Sequence, residues 1–159
     1  MNPALSRAAA SCLLLALPLV ACDRRPSPTI GDKAFVARAN ALCGRQLPAL
    51  RAERRQSDVM GNTPKNDRGV TAAKIEKVAD GLDHVADQLG NLPVRRQDQG
   101  GVAAWLEEWA NFTGIGRRYA AAVRTERAAV YSSIAATGNG PVRRIARFAR
   151  ANRMDNCVL

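Results

Sequence analysis

Aromatic side chains are scarce in this chain. Phe, Trp and Tyr make up 4% of its 159 residues, against 47% for all hydrophobic types. Most of the apolar content is therefore small and aliphatic, and such a composition favours Ala-rich helices because strands prefer β-branched and aromatic residues. The four cysteines are also too few for a small disulfide-dense scaffold. The length corresponds to about one domain.

The residues that usually carry catalysis are scarce as well. His84 is the single histidine, and no Ser or Cys occupies a recognisable nucleophile turn, so no catalytic triad is predicted. Gly114-Ile115-Gly116 lacks the lysine and the preceding strand of a phosphate-binding loop. We therefore expect no enzymatic activity and no cofactor.

An acidic row recurs at helical spacing in the middle of the chain, at Glu76, Asp80, Asp83 and Asp87. On a helix these residues share one face, opposite the apolar seam described below, which is typical of a solvated surface. His84 lies at the edge of this face. A weak divalent-metal site and the docking of a basic partner are the alternatives; no metal site is expected.

Positive charge dominates the composition, with 24 Lys and Arg against 14 Asp and Glu and a formal net charge of +10. A basic excess predicts attraction to nucleic acid, anionic lipid or acidic envelope polymers. The arginines concentrate near the C-terminus, and we expect Arg143, Arg144, Arg147 and Arg150 to contact an anionic surface. The alternative is a solvated face partly paired with the acidic row.

The N-terminus has the features of an export signal. Residues 1–7 carry one cation, Arg7, and residues 8–20 are almost wholly apolar. This run is too short to span a bilayer, which needs about 20 apolar residues, but it has the length of a signal-peptide core. An exported protein is kept away from nucleic acid, so we expect no nucleic-acid partner.

The segment Leu19-Val20-Ala21-Cys22 resembles the lipobox of bacterial lipoproteins. The resemblance implies removal of residues 1–21, a diacylglyceryl thioether on Cys22, further acylation such as palmitate, and a position on the extracytoplasmic face of the cell membrane. The alternative is an ordinary signal peptide with Cys22 as a plain thiol. Residues 22–31 then form a tether, in which Arg24 and Arg25 lie beside the lipid.

The remaining cysteines are Cys43 and Cys157, since Cys12 leaves with the leader and Cys22 carries lipid. Outside the cytoplasm such a pair is expected to form a disulfide. Two buried free thiols are the alternative. A zinc site is disfavoured because structural zinc needs four ligands at close spacing.

Apolar periodicity predicts four helices within one domain, residues 32–159. The first begins near Asp32 and kinks or breaks at Pro48. The second, about 70–91, carries a seam that steps by 3 and 4 from Ile75 to Leu92. The third keeps one apolar phase over 102–136 and bends near Gly114-Ile115-Gly116, and 137–140 breaks the chain before a fourth helix that begins at Pro141. The inward-facing positions of this third helix include Val130 and Tyr131.

Four helices with short connections predict an all-α, up-down-up-down four-helix bundle. The layout of lipobox, tether, one Cys in the first helix and one terminal Cys resembles small two-cysteine helical lipoproteins of actinobacteria. We expect a non-catalytic interaction or structural role at the cell envelope, with the protein partner left open. The alternative is a carrier of small apolar ligands, with Trp105, Trp109 and Tyr119 facing the ligand.

Overall fold

The computed structural model describes residues 29–58, 68–125 and 128–159. Four α-helices and no β-strand occur in these ranges, which confirms the all-α class. The helices are α1 (Lys33–Asp58), α2 (Arg68–Gly90), α3 (Gln99–Arg124) and α4 (Ala128–Ala151), with 3₁₀ turns at Arg96–Asp98 and Asp155–Cys157. The predicted leader, lipobox and tether, up to residue 28, lie outside the described residues, as do residues 59–67.

The helices pack in a chain of neighbours, since α2 contacts α1 and α3, and α3 contacts α4. The α1–α2 contact explains Gly81 in the middle of a helix. A Cβ built there would lie 2.5 Å from Leu50 Cδ2 of α1, so the glycine lets the two helices approach closely. None of the described helices combines the length and the apolar character that crossing a membrane requires.

The predicted seam of α2 forms part of the core. Val78, Leu82, Val85 and Leu89 are all buried. Aromatic rings join α3 to α4, where the Trp105 ring stacks on Phe148 with centroids 4.9 Å apart. Trp109 meets Trp105 edge-on at 5.7 Å, and offset and edge-on arrangements of this kind are favourable for aromatic pairs.

The Cys43–Cys157 disulfide is present and joins α1 to the C-terminal turn. The two Cα atoms are 5.1 Å apart, and the residues are separated by 114 positions in sequence. Hydrogen bonds reinforce this junction: the Asn156 N–H donates to Asn40 Oδ1 at 3.0 Å, and Arg51 Nη2 donates to the carbonyls of Asn156 and Val158. The C-terminal tail is therefore fixed against α1.

Two predicted helix boundaries are wrong. The chain does not break over 137–140, because α4 runs through this segment and through Pro141, and α3 ends instead at Arg124. Gly138 is buried, and a Cβ there would lie 3.6 Å from Ile115 and 3.8 Å from Phe112 of α3. The glycine thus supplies a helix contact, and this packing overrides its low helix propensity.

Similarly, α1 continues through Pro48 to Asp58 without a break. The side chains of Val130 and Tyr131, which were expected to face the core, lie outside those that the structure describes.

Candidate functional site

The segment that leads out of the tether is fixed to the helical body by backbone hydrogen bonds. The Ile30 N–H donates to Asn152 Oδ1 at 2.6 Å. The carboxylate of Asp98, at the start of α3, accepts the N–H groups of Gly31 at 3.2 Å and Asp32 at 2.9 Å. The start of α1, the start of α3 and the end of α4 therefore meet where the tether joins the body.

Asp32 completes this junction as the N-cap of α1. Its carboxylate accepts the N–H of Phe35 at 3.0 Å and the N–H of Arg95 at 3.1 Å. The Phe35 hydrogen bond, with help from Arg95, lowers the pKa of Asp32 below its ordinary value of 3.8. Asp32 and Asp98 are both buried, and each carboxylate accepts two backbone N–H groups at this junction.

Exposed cations surround this junction, and we call the group the basic end. Arg38 is fixed there by a hydrogen bond of 2.9 Å from its Nη2 to the Pro93 carbonyl. Asp155 is an exposed acid in the same region. The exposed cations of the basic end are Lys33, Arg38, Arg95, Arg96, Arg150 and Arg153.

The four arginines predicted on the fourth helix are all exposed on α4: Arg143, Arg144, Arg147 and Arg150. They differ in position and pairing. Arg150 lies two residues before Asn152 and belongs to the basic end, whereas Arg143 lies about 14 Å from Asn152 along the helix, at about 1.5 Å per residue. Arg144 forms a bidentate ion pair with Glu108 of α3: its Nε donates to Glu108 Oε1 at 2.6 Å, and its Nη2 donates to Glu108 Oε2 at 2.8 Å.

The acidic row of α2 is paired with arginines of α3. Arg117 binds Asp80 and Asp83, and Arg124 binds Glu76. The hydrogen bond from Arg124 lowers the pKa of Glu76. These pairs are partly exposed, so each adds little to the stability of the fold. Three residues of the row are thus ion-paired, and their arginine partners lie on α3.

His84 is exposed on α2, and its Nε2 lies 2.7 Å from the amide of Gln88. Among the described residues, no group of three or more His, Cys, Asp or Glu side chains has the spacing of a metal site.

An apolar pocket of about 200 Å³ lies among the four helices, and we call it the apolar pocket. Tyr119 lines it, as predicted for a ligand-facing residue. Trp105 and Trp109 do not line it, because both are buried in the dense core next to Phe148. The described residues that line the pocket are Arg54, Ile75, Val78, Ala79, Leu82, Phe112, Thr113, Ile115, Gly116, Tyr119 and Gly138.

Arg54 of α1 is the residue of this site that sequence reasoning missed. Its guanidinium carbon lies 5.4 Å from the centroid of the Phe112 ring, a cation–π contact at the pocket wall. Arg54 sits in a run of cations at the end of α1, where nothing in the local pattern separates it from its neighbours. For the pocket itself, Gly116 was the available signal in the sequence, since a glycine on the apolar face of a helix leaves space between that helix and its neighbours.

Comparisons with known proteins assign no family to this chain. No family pattern, curated protein or solved structure matches it.

Proposed function

We propose that this protein is a membrane-anchored lipoprotein on the extracytoplasmic face of the cell membrane, acylated at Cys22 after removal of residues 1–21. At the cell envelope it acts without catalysis, either by binding another component or as a structural element. The protein contacts the membrane through its lipid anchor, and the identity of a protein partner is left open. One acyl chain attaches a protein only marginally, so stable attachment needs the second chain or a basic surface beside it.

The observation that carries this proposal is the position of the basic end. The tether meets the helical body at Ile30–Asp32, and the exposed cations lie around the same junction. A tether of about nine residues holds this end within about 28 Å of the lipid. Each cation near an anionic leaflet contributes about 1 kcal/mol, so the basic end faces the membrane.

Arg153 gives this proposal a second line of support. It follows α4 with φ 55°, the left-handed conformation that glycine adopts without strain. The Met154 N–H donates to the Ala149 carbonyl at 2.8 Å and closes the helix end in the way that a glycine there normally permits. An arginine at this position costs stability, and in return it places a charge beside the tether junction.

The disulfide supports the extracytoplasmic location. Disulfides persist in oxidising compartments and are rare in the cytosol, where thiols are kept reduced. The Cys43–Cys157 bond is buried and joins distant parts of the chain, as expected of a structural bond rather than a transient one.

We also propose that residues 32–159 form a single up-down-up-down bundle. Side-chain contacts favour this topology, because the contacted positions move backward along one helix as they move forward along the next, so neighbouring helices are antiparallel. Asp83 contacts Thr113, Gly116 lies against Ala79, and Arg144 contacts Glu108 while Phe148 contacts Trp105.

The membrane contact is tested with vesicles and a chain that cannot be acylated, residues 22–159 with Cys22→Ser. Binding to vesicles with anionic lipid should exceed binding to zwitterionic vesicles and should weaken as salt rises. Replacing Arg95, Arg150 and Arg153 with Gln removes three cations of the basic end. At about 1 kcal/mol each, the partition coefficient should fall by about a hundredfold.

The matched control replaces the same number of cations far from the tether junction: Lys74→Gln, Arg55→Gln and Arg118→Gln. These residues lie about 24–33 Å from the junction along their helices, at about 1.5 Å per residue. They should change binding by less than about tenfold. Equal losses in the two triple variants would mean that net charge alone governs binding, and the proposed orientation would then be wrong.

A further inference from the structure

The outward face of α4 carries positive charge that the proposed membrane contact does not use. The helix contains four arginines and no acidic residue. Arg143, Arg147 and Arg150 follow one another at steps of four and three residues, so they share one side of the helix, and all three are exposed. We call them the arginine ridge. The opposite side of the helix is buried at Ile145, Phe148 and Ala149.

The distribution of ion pairs concentrates positive charge on this face. Between α2 and α3, Arg117 and Arg124 are paired with acids of α2. On the flank of α4, Arg144 is paired with Glu108 of α3. The arginine ridge lies on the side of α4 that faces away from the core, and α4 itself supplies no acid to it. A surface of one sign attracts a partner of the opposite sign, so the complementary partner is an anion.

Arg143 has no part in the contact proposed at the membrane. It lies about 14 Å from Asn152 along the helix, at about 1.5 Å per residue, which exceeds the Debye length of about 8 Å at physiological ionic strength. The helix dipole does not account for this arginine either, because the dipole acts within the last turn and Arg143 lies eight residues before the end of α4 at Ala151. The arginine ridge therefore extends the basic end away from the leaflet.

The side chains of the ridge indicate the class of anion. All are arginines, and the planar guanidinium can donate two parallel hydrogen bonds to one phosphate group. A polymer with phosphodiesters in its backbone presents its charges without side chains, so it loses less side-chain entropy on binding than polyglutamate does. The aromatic side chains that the structure describes are buried or half-buried, so this part of the chain offers no exposed platform on which nucleobases could stack.

We propose that the arginine ridge binds a linear phosphodiester polymer without bases, which lies along the outward face of α4. This contact requires neither acylation nor a membrane. The ridge shares Arg150 with the basic end and continues to Arg143, so the polymer lies beyond the leaflet in the anchored protein. Only this last statement, on the position of the polymer relative to the leaflet, rests on the proposed function.

The test measures the binding of labelled poly(glycerol phosphate) by fluorescence anisotropy, using residues 22–159 with Cys22→Ser in the absence of membranes. Binding should weaken as salt rises, because each phosphate contact releases counterions. Monomeric glycerol phosphate should not bind measurably, since a single exposed ion pair contributes little. Polyglutamate with the same number of charges should bind more weakly than the phosphodiester polymer.

Arg143→Gln removes a cation that belongs to the ridge and not to the basic end. At about 0.1 M salt it should weaken polymer binding about fivefold, which follows from a salt exponent of about 0.7 for each phosphate contact. Arg143→Lys keeps the charge and should retain most of the affinity. The matched control, Arg55→Gln, removes an exposed cation of α1 and should leave the affinity for the polymer unchanged.

Vesicle binding separates this proposal from the membrane contact. Arg143→Gln should bind anionic vesicles as the parent does, whereas the double variant Arg95→Gln, Arg153→Gln should lose more affinity for vesicles than for the polymer. Failure of the parent to bind the polymer, or equal losses in Arg143→Gln and Arg55→Gln, overturns the proposal. Equal or tighter binding of polyglutamate, or tighter binding of single-stranded DNA with the same number of phosphates, overturns the assignment to a phosphodiester polymer without bases.

Discussion

Reduction of the Cys43–Cys157 disulfide should remove a large share of the stability of the helical body. The bond closes a loop between residues 114 positions apart. The chain-entropy relation assigns about 4.8 kcal/mol at 25 °C to a loop of this length, and measured losses for native disulfides run from about 2 to 5 kcal/mol. Since single domains are stable by about 5–15 kcal/mol, the full loss of about 4.8 kcal/mol would be about a third or more of the total.

The structure indicates which part detaches first. The C-terminal turn is attached to α1 by the disulfide and by hydrogen bonds that involve Asn40, Arg51 and Asn156. Once the covalent link is cut, partly exposed hydrogen bonds worth about 1 kcal/mol each must hold the tail. Met154 and Cys157, which are fully buried, would then become accessible to water.

Urea unfolding followed by tryptophan fluorescence measures this loss, because Trp105 and Trp109 are buried and report exposure of the core. In residues 22–159 with Cys22→Ser, Cys43 and Cys157 are the remaining cysteines. A reductant should lower the urea midpoint by at least about 1 M. The Cys43→Ala, Cys157→Ala double variant should unfold at a similarly lowered urea midpoint, and the reductant should not change that midpoint. Unchanged midpoints in both experiments would refute the reasoning.

Three further substitutions have expected outcomes. Asp32→Asn should destabilise the protein at neutral pH. Because the pKa of Asp32 is lowered by folding, its contribution is present above about pH 4 and is lost as the pH falls further, so the two proteins should converge in acid denaturation curves; a constant difference down to pH 2 would contradict this. Arg153→Gly should raise the free energy of unfolding by about 1 kcal/mol by relieving the left-handed conformation, and an unchanged thermal midpoint would count against the strain. Phe148→Ala should cost about 3–5 kcal/mol because it opens a cavity beside Trp105, and a loss below 1 kcal/mol in urea unfolding would disprove dense packing there.

Periodicity was sufficient to predict most of the core. The seam of α2 from Val78 to Leu89 is buried, as are Val102, Trp105 and Trp109 on the predicted face of α3, because a helix that packs on one side must place its apolar residues at steps of three and four. Phe112 and Tyr119 on the same face are only half-buried, and both line the apolar pocket. The Cys43–Cys157 pair also followed from counting cysteines, since the lipoprotein interpretation assigns Cys12 to the leader and Cys22 to the lipid site.

Boundaries that depend on tertiary contacts were not predictable. Gly138 has the local signature of a helix stop, yet α4 passes through it because α3 presents Phe112 and Ile115 at that level. The apolar pocket escaped detection for the same reason. Arg54 and Phe112 are far apart in sequence, and only the packing of α1 against its neighbours brings the guanidinium over the ring.

The basic end was predicted in part. Arg150 belongs to a visible arginine row, but Lys33, Arg38 and Arg95 are scattered along the chain. They meet because hydrogen bonds from Asp98 and Asn152 bring the start of α1, the start of α3 and the end of α4 together. No pattern within one segment contains that information.

The most direct measurement of the central claim is the intact mass of the protein purified from its native host. We predict a chain that begins at Cys22 and carries the added mass of a diacylglyceryl group, with or without a further acyl chain on the new amine. A chain that retains residues 1–21, or one that begins near Cys22 without any lipid mass, would contradict it.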